Sequence, residues 1–291
     1  MSSDFYPSLL QEKLQTTAYD LSIHSIGGGC INETVLVEVN KRQFFVKTNP
    51  DQSLDFFEKE QQGLQLLRQK VQGLVIPEVY FVGEHQGIPT FVMEYVLPST
   101  KGKNEVFFDN LGRGLAELHL HAQSTFGLEV NNYIGALPQS NRQHSTWLDF
   151  FMEERLFRQF QLAVKKGFLA ESTLLKVSGL SKVLEGVFPD ENPALLHGDL
   201  WSGNCMPTNG QKACLYDPAV YYGHREMELA FTKLFGGFSE RFYEAYGEVF
   251  PIASGFEGRV AIYNLYPLMV HVNLFGMGYY REVEETLNRF V

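Results

Sequence analysis

Apolar positions recur along this chain with two different periods, and the change from one to the other falls between Val96 and Lys103. A short amphipathic segment carrying Leu9, Leu10 and Leu14 comes first. From Leu21 to Val96 the signals are those of strands: Thr34, Leu36 and Glu38 alternate with Val35, Val37 and Val39, and a turn at Asn40-Lys41-Arg42 leads into Phe44-Phe45-Val46-Lys47, which predicts a hairpin. A helix opened by Asp51 or Ser53 follows, with Phe56, Leu64 and Leu67 on one face. Two more strands are expected, around Val79 to Gly83 and Thr90 to Tyr95, with His85-Gln86-Gly87 between them. Beyond Pro98 the period becomes helical, in Phe107, Leu111, Leu115 and Leu118 and again in Trp147, Phe151, Arg155 and Leu162. Short apolar strands are expected at Ala194 to Leu196 and Ala213 to Tyr216. The pattern predicts an α+β fold of two lobes: a sheet-based lobe over residues 1–96 with a hinge at about 93–98, and a larger helical lobe over 97–291.

Composition narrows the classes. A formal net charge of -10 argues against sequence-independent nucleic-acid binding, which needs clustered Lys and Arg. An anionic ligand must then be met by a local positive site plus a metal. The three cysteines, Cys30, Cys205 and Cys214, give no paired framework, and no basic segment followed by an apolar run opens the chain, so a cytoplasmic protein is expected. The most apolar stretch, Ala261 to Tyr280, contains Asn264, Pro267, His271 and Asn273, which reads as a buried helix pair and not a membrane span.

The chemistry gathers around His197-Gly198-Asp199-Leu200-Trp201-Ser202-Gly203-Asn204. An aspartate followed five positions later by an asparagine is what a phosphoryl-transfer loop needs: Asp199 accepts the proton of the attacking hydroxyl, and Asn204 holds a Mg²⁺. Taken alone the octapeptide also fits a polar turn. Four other features decide between these. Gly27-Gly28-Gly29-Cys30 lies between two strands and could point N–H groups of Gly28, Gly29 and Cys30 at phosphate oxygens. Lys47 ends an apolar strand and is followed by a helix in which Glu60 shares a stripe with Gly63, Leu64 and Leu67 while Glu58 lies off it, so Lys47 and Glu60 suit a phosphate clamp. Met93-Glu94-Tyr95-Val96 runs into a Pro-Ser turn and suits a hinge, with the backbone of Glu94 and Val96 on an adenine edge and the Glu94 side chain outward. Asp217 follows Asn204 by thirteen residues, directly after an apolar strand, as a second Mg²⁺ ligand. Together they imply ATP and Mg²⁺ as cofactors.

In GGGCIN at 27–32, FFVKTN at 44–49, EQQGLQLL at 60–67, FVMEYV at 91–96, LGRGLAELH at 111–119, WLDFFMEERL at 147–156, HGDLWSGN at 197–204 and YDPAVYYGHREMELA at 216–230, the chain resembles the fructosamine kinase (ketosamine-3-kinase) family of the aminoglycoside phosphotransferase and choline kinase group. The resemblance implies a protein-kinase-like fold and ATP-dependent phosphorylation of the 3-hydroxyl of ketosamines: fructosamine, ribulosamine or erythrulosamine adducts. The phosphorylated adduct falls apart, so the activity would repair glycated protein. By matching positions, Asp199 would be the base, Asn204 and Asp217 the metal ligands, and Lys47 with Glu60 the clamp. Trp201 would offer a flat apolar face to the sugar. His224 and Glu226 would line the mouth with the substrate, the alternative being that they tie the helical lobe together, which is the role expected for Arg225. His119 and His197 are expected as hydrogen-bonded framework. The resemblance also implies that Cys30 could link two copies by a disulfide, so monomer and redox-linked homodimer both stay open. An aminoglycoside- or choline-type phosphotransferase and a catalytically silent nucleotide-binding module are the rival readings.

Overall fold

The computed structural model describes residues 4–27 and 31–290. Helix α1 (Phe5–Leu14) precedes an antiparallel sheet of β1 (Leu21–Ser25), β2 (Glu33–Val39), β3 (Arg42–Thr48), β4 (Val79–His85) and β5 (Ile88–Glu94), in the order β1-β2-β3-β5-β4. Helix α2 (Leu54–Lys70) connects β3 to β4 and begins after Ser53. Both hairpin turns are one residue tighter than the sequence suggests, because Arg42 and His85 belong to strands. Asn40 and Lys41, with φ of 51° and 68°, and Gln86 and Gly87, with φ of 48° and 75°, make two-residue left-handed turns. Such turns match the right-handed twist of the paired strands.

The sheet separates two cores by its period of two. Phe44, Val46 and Val92 pack with Phe5, Leu9 and Leu10 of α1 on one face. Phe91 and Met93 point to the other face, where Phe57, Leu64 and Leu67 of α2 join a core that continues into the helical part of the chain. Lys47, next to Val46 on β3, therefore projects to the α2 side, with its residue 3% exposed.

The helical part contains α3 (Glu105–His119), the hairpin β6 (Asn132–Ile134) and β7 (Leu137–Gln139), and α4 (Trp147–Phe150), which runs through a π-helical segment (Phe151–Phe157) into α5 (Arg158–Lys165). Regular α-helical spacing predicts this stretch, and the wider turn is what the structure adds: the neighbours Glu154 and Arg155 are both buried within it. After α6 (Ser172–Val183) come β8 (Ala194–Leu196), a 3₁₀ turn (Ser202–Asn204), β9 (Cys205–Pro207), β10 (Ala213–Leu215) and β11 (Tyr221–Gly223). The chain closes with α7 (Arg225–Leu234), α8 (Glu240–Val249), α9 (Phe256–Tyr263), α10 (Leu265–Phe275) and α11 (Tyr280–Phe290). The apolar run from Ala261 breaks at Asn264, and Pro267 sits in the first turn of α10, where its missing N–H has no partner to lose. Among the described residues no helix is long and apolar enough to cross a membrane.

Strands β8 and β11 pair antiparallel, as do β9 and β10, so the loops after β8 and after β10 leave from two small ladders. Val75 joins β10 to the first lobe, donating to Ala213 O at 2.8 Å and accepting from Leu215 N at 3.0 Å. These ladders set where the chemistry-bearing loops stand.

Candidate active site

Strand β3 delivers Lys47 to a cleft between the sheet and the loop after β10. Its ammonium lies 2.6 Å from Glu60 Oε1 of α2 and also bonds Asp217. Burial alone would lower the Lys47 pKa, but Asp217 and Glu60 outweigh it and raise it, so the lysine is charged. Burial, with Asp217 nearby, raises the pKa of Glu60 despite Lys47. Glu58 is exposed, as the stripe on α2 predicts. Asp217 has a φ of 56°, a costly conformation for a non-glycine residue, and its side chain is 45% exposed.

The loop after β8 is fixed from behind. Gly198 has a φ of 86°, and a Cβ on it would lie 2.1 Å from Ala219 O, so no other residue fits between the two loops. Ala219 N donates to His197 O at 2.9 Å. His197 Nε2 donates to Tyr216 O at 3.0 Å, and burial lowers its pKa against the pull of Glu228, so the ring is a neutral strut as expected. Glu228 of α7 is the anchor that sequence reasoning missed. It accepts from His197 N at 3.0 Å and Gly198 N at 2.6 Å, and from His119 Nε2 at 2.9 Å. Burial pushes the Glu228 pKa up, but these donors and the two histidines hold it below the ordinary range. Its signal was a carboxylate two residues past Glu226, on a helix whose inward face the sequence alone does not reveal.

Asp199 stands at the open end of this scaffold, partly buried. Asn204 donates to Asp199 O at 2.8 Å and to Asp199 Oδ2 at 3.0 Å, which leaves the amide oxygen as the atom Asn204 can offer a cation. Burial and the charge of Asp217 push the Asp199 pKa well up, against the hydrogen bond from Asn204. Two carboxylates repelling each other beside one amide oxygen form an oxygen-donor set of the kind Mg²⁺ takes. Trp201, two residues after Asp199, has 39% of its surface exposed. A Cβ on Gly203 would meet the Trp201 ring at 2.2 Å, so the ring packs against that glycine.

Two expected substrate contacts are corrected. His224 is fully buried, 3.2 Å from Pro189 O and 3.1 Å from Tyr263 Oη, and its Nδ1 caps α7 at Glu226 N. Glu226 is fully buried and accepts from Arg259 Nε at 2.7 Å and Nη2 at 2.6 Å. Both tie α7 to α9, because a carboxylate with no access to water needs a cation of its own. Arg225 has the structural role expected, bidentate on Glu191 at 2.8 Å for each bond. The hinge is also corrected in part. Glu94 N donates to Glu78 O at 2.7 Å and the Glu94 carboxylate accepts from Glu78 N at 3.2 Å, so neither group is free for a nucleotide. Met93 is buried in the core beneath, and Tyr95 and Val96 are partly exposed. Gly28, Gly29 and Cys30 lie outside the described residues. Burial pushes the Cys205 thiol up to about 11 and raises Cys214 as well, so both are unreactive core residues.

A lysine held by a helix glutamate, a loop with Asp199 and Asn204, and a following Asp217 are the parts of a two-lobed, protein-kinase-like phosphotransferase. The fructosamine kinase family model matches residues 5–291, and the chain belongs to that family. A Vibrio parahaemolyticus protein named "Probable ketoamine kinase" is 36% identical over 269 residues, 91% of each chain. The chloroplastic protein-ribulosamine 3-kinase of Arabidopsis thaliana is 36% identical over 268 residues, 88% of this chain and 78% of that one. A crystal structure from Haemophilus somnus 129PT, given as a candidate fructosamine-3-kinase, superposes with a TM-score of 0.87 at 27% identity, covering 98% of this chain and 96% of that one.

Proposed function

We propose that this protein is an ATP-dependent kinase of ketosamines that phosphorylates the 3-hydroxyl of sugar-amine adducts and so starts their removal from glycated amines. The observation that carries the reading is the convergence of Asp199, Asn204, Asp217 and Lys47 on one cleft, inside a chain of this family. Asp199 takes the proton of the attacking hydroxyl; its raised pKa makes it a stronger base than an ordinary carboxylate. Lys47, fixed by Glu60, meets the phosphates, and the residues from Met93 to Val96 form the hinge, where the backbone of Val96 is left to meet the adenine edge because the Glu94 N–H is occupied. Asn204 and Asp217 would hold Mg²⁺, which when bound neutralises phosphate charge. Trp201 presents its exposed face to the sugar. Residues 1–96 and 97–291 act as the two lobes around this cleft, with the sheet ending at Glu94.

The ribulosamine activity in the Arabidopsis relative's name makes ribulosamines the first substrates to try, followed by erythrulosamines and fructosamines. ATP consumption that depends on one of these, set beside a panel of aminoglycosides and choline, tests the reading. Turnover confined to aminoglycosides or choline would replace it with the rival phosphotransferase, and no turnover with any acceptor would leave a nucleotide-binding module.

A further inference from the structure

Asp199 shares its crevice with a histidine that the proposed chemistry leaves unused. His271 of α10 lines the same open crevice as Gly198, Asp199 and Phe231. Its Nδ1 lies 2.7 Å from Pro267 O, one turn earlier on the helix. A carbonyl oxygen only accepts, so the ring hydrogen sits on Nδ1. Burial lowers the pKa of the ring, outweighing Pro267, so it is neutral and Nε2 carries a lone pair. Among the described residues Nε2 has no hydrogen-bond partner.

Aromatic rings pack around this imidazole. The ring centres of Phe235, Tyr279 and Phe275 stand 4.7, 5.1 and 5.5 Å from that of His271. Phe235 and Phe275 are 41% and 51% exposed. The chain just after Phe235 is pressed against the loop that carries the base, since a Cβ on Gly237 would lie 2.7 Å from Ser202 Cβ. A fixed lone pair beside partly exposed aromatic rings suits a cation that also has hydrogens to donate.

We infer that His271, with Phe235, Phe275 and Tyr279, holds the protonated secondary amine of the acceptor substrate: Nε2 accepts one N–H and the ring faces meet the charge. The inference rests on the ketosamine reading, in which the amine is only a few bonds from the 3-hydroxyl. A substrate with that hydroxyl at Asp199 has its nitrogen in the same crevice. His271 then decides between amine adducts and neutral sugars, a choice that neither the base nor the phosphate clamp can make.

The test compares the full-length protein with His271→Phe, which keeps the ring cluster but removes the acceptor, and with His271→Gln, which restores an acceptor. Each is assayed on a ribulosamine and on the matching ether, in which oxygen replaces the amine nitrogen. The wild type should prefer the amine. His271→Phe should lose about 10–100-fold in kcat/KM on the amine, the range of a charge-assisted hydrogen bond, with little change on the ether, in KM for ATP or in Tm. His271→Gln should recover part of the loss, and it carries the test alone if the Phe variant does not fold. An unchanged kcat/KM on the amine, or equal losses on amine and ether, overturns the inference while the ketosamine reading stands. A wild type that phosphorylates neither compound overturns both.

Discussion

Asp217 and Glu60 share one ammonium, that of Lys47, and Asp199 has only the Asn204 amide against the charge of Asp217, whereas Glu226 and Glu228, on helix α7, each have donors of their own. In the cleft the result is a raised pKa at Asp199 and at Glu60, with burial as the leading cause and Asp217 adding to it. Behind the cleft, Glu226 has both oxygens on Arg259, and Glu228 has two backbone N–H groups and His119. The difference separates two uses of the same chemical group. Carboxylates that hold the fold together are saturated, and those left short of donors are ready for a proton or a cation. Saturation, not distance from Asp199, moves His224 and Glu226 out of the substrate site.

Substitutions on the two sides should behave in opposite ways. Asp199→Asn removes a charge from the crowded side. Turnover should fall roughly 10²–10⁴-fold, while Tm stays level or rises because repulsion with Asp217 is relieved. A loss of stability as large as the loss of activity would break the contrast. Arg259→Leu does the reverse, leaving the buried Glu226 without its cation. Stripping one partner from a buried pair should cost about 3–5 kcal/mol, visible in urea unfolding, and the protein that remains folded should keep its KM for acceptor. A raised acceptor KM at full stability would return Glu226 to the substrate site.

What the sequence could reveal follows the same line. The lobes, the hairpins and the order of Lys47, Glu60, Asp199, Asn204 and Asp217 are legible, because period and motif spacing are local properties of the chain. Glu60 was separable from Glu58 for that reason: one is on the inward stripe of α2 and the other is off it. Glu226 and Glu228 sit in one short motif, and which donors they meet depends on Arg259 and His119, far away in the chain. His271 was hidden similarly. It lies in an apolar run that reads as core, and only the fold brings that run to the crevice of Asp199. The π-helical segment has no sequence signal that a period of 3.6 would detect.

Glu154, inside that segment, gives a test of saturation by pH. Burial would raise its pKa, but hydrogen bonds from Ser140, Arg142 and His144 lower it to about 2. A depressed carboxylate contributes stability that is fully present above its unfolded pKa of about 4.3 and is lost as pH falls through its folded value. The shift corresponds to on the order of 3 kcal/mol. Between pH 5 and pH 2 the wild type should therefore lose more stability than Glu154→Gln, whose offset does not depend on pH. Parallel stability curves for the two proteins would mean that the surrounding donors contribute packing and no charge pairing.

The smallest effect marks where saturation stops mattering. Arg281 Nε makes a single bond of ordinary length, 2.9 Å, to Glu285 Oε1 on α11, where Arg259 makes two to Glu226, and the side chains are 87% and 63% exposed. Water already solvates both charges, so pairing them gains little: about 0.3–0.5 kcal/mol for such an i,i+4 pair, and less in high salt. A double-mutant cycle on Arg281→Ala and Glu285→Ala, with unfolding as the readout, should give a coupling in that range. A coupling of several kcal/mol would show that geometry alone sets the strength of these pairs. In that case the exposure of Asp217 would say nothing about its readiness for a cation, and the contrast between the cleft and the back of α7 would lose its physical basis.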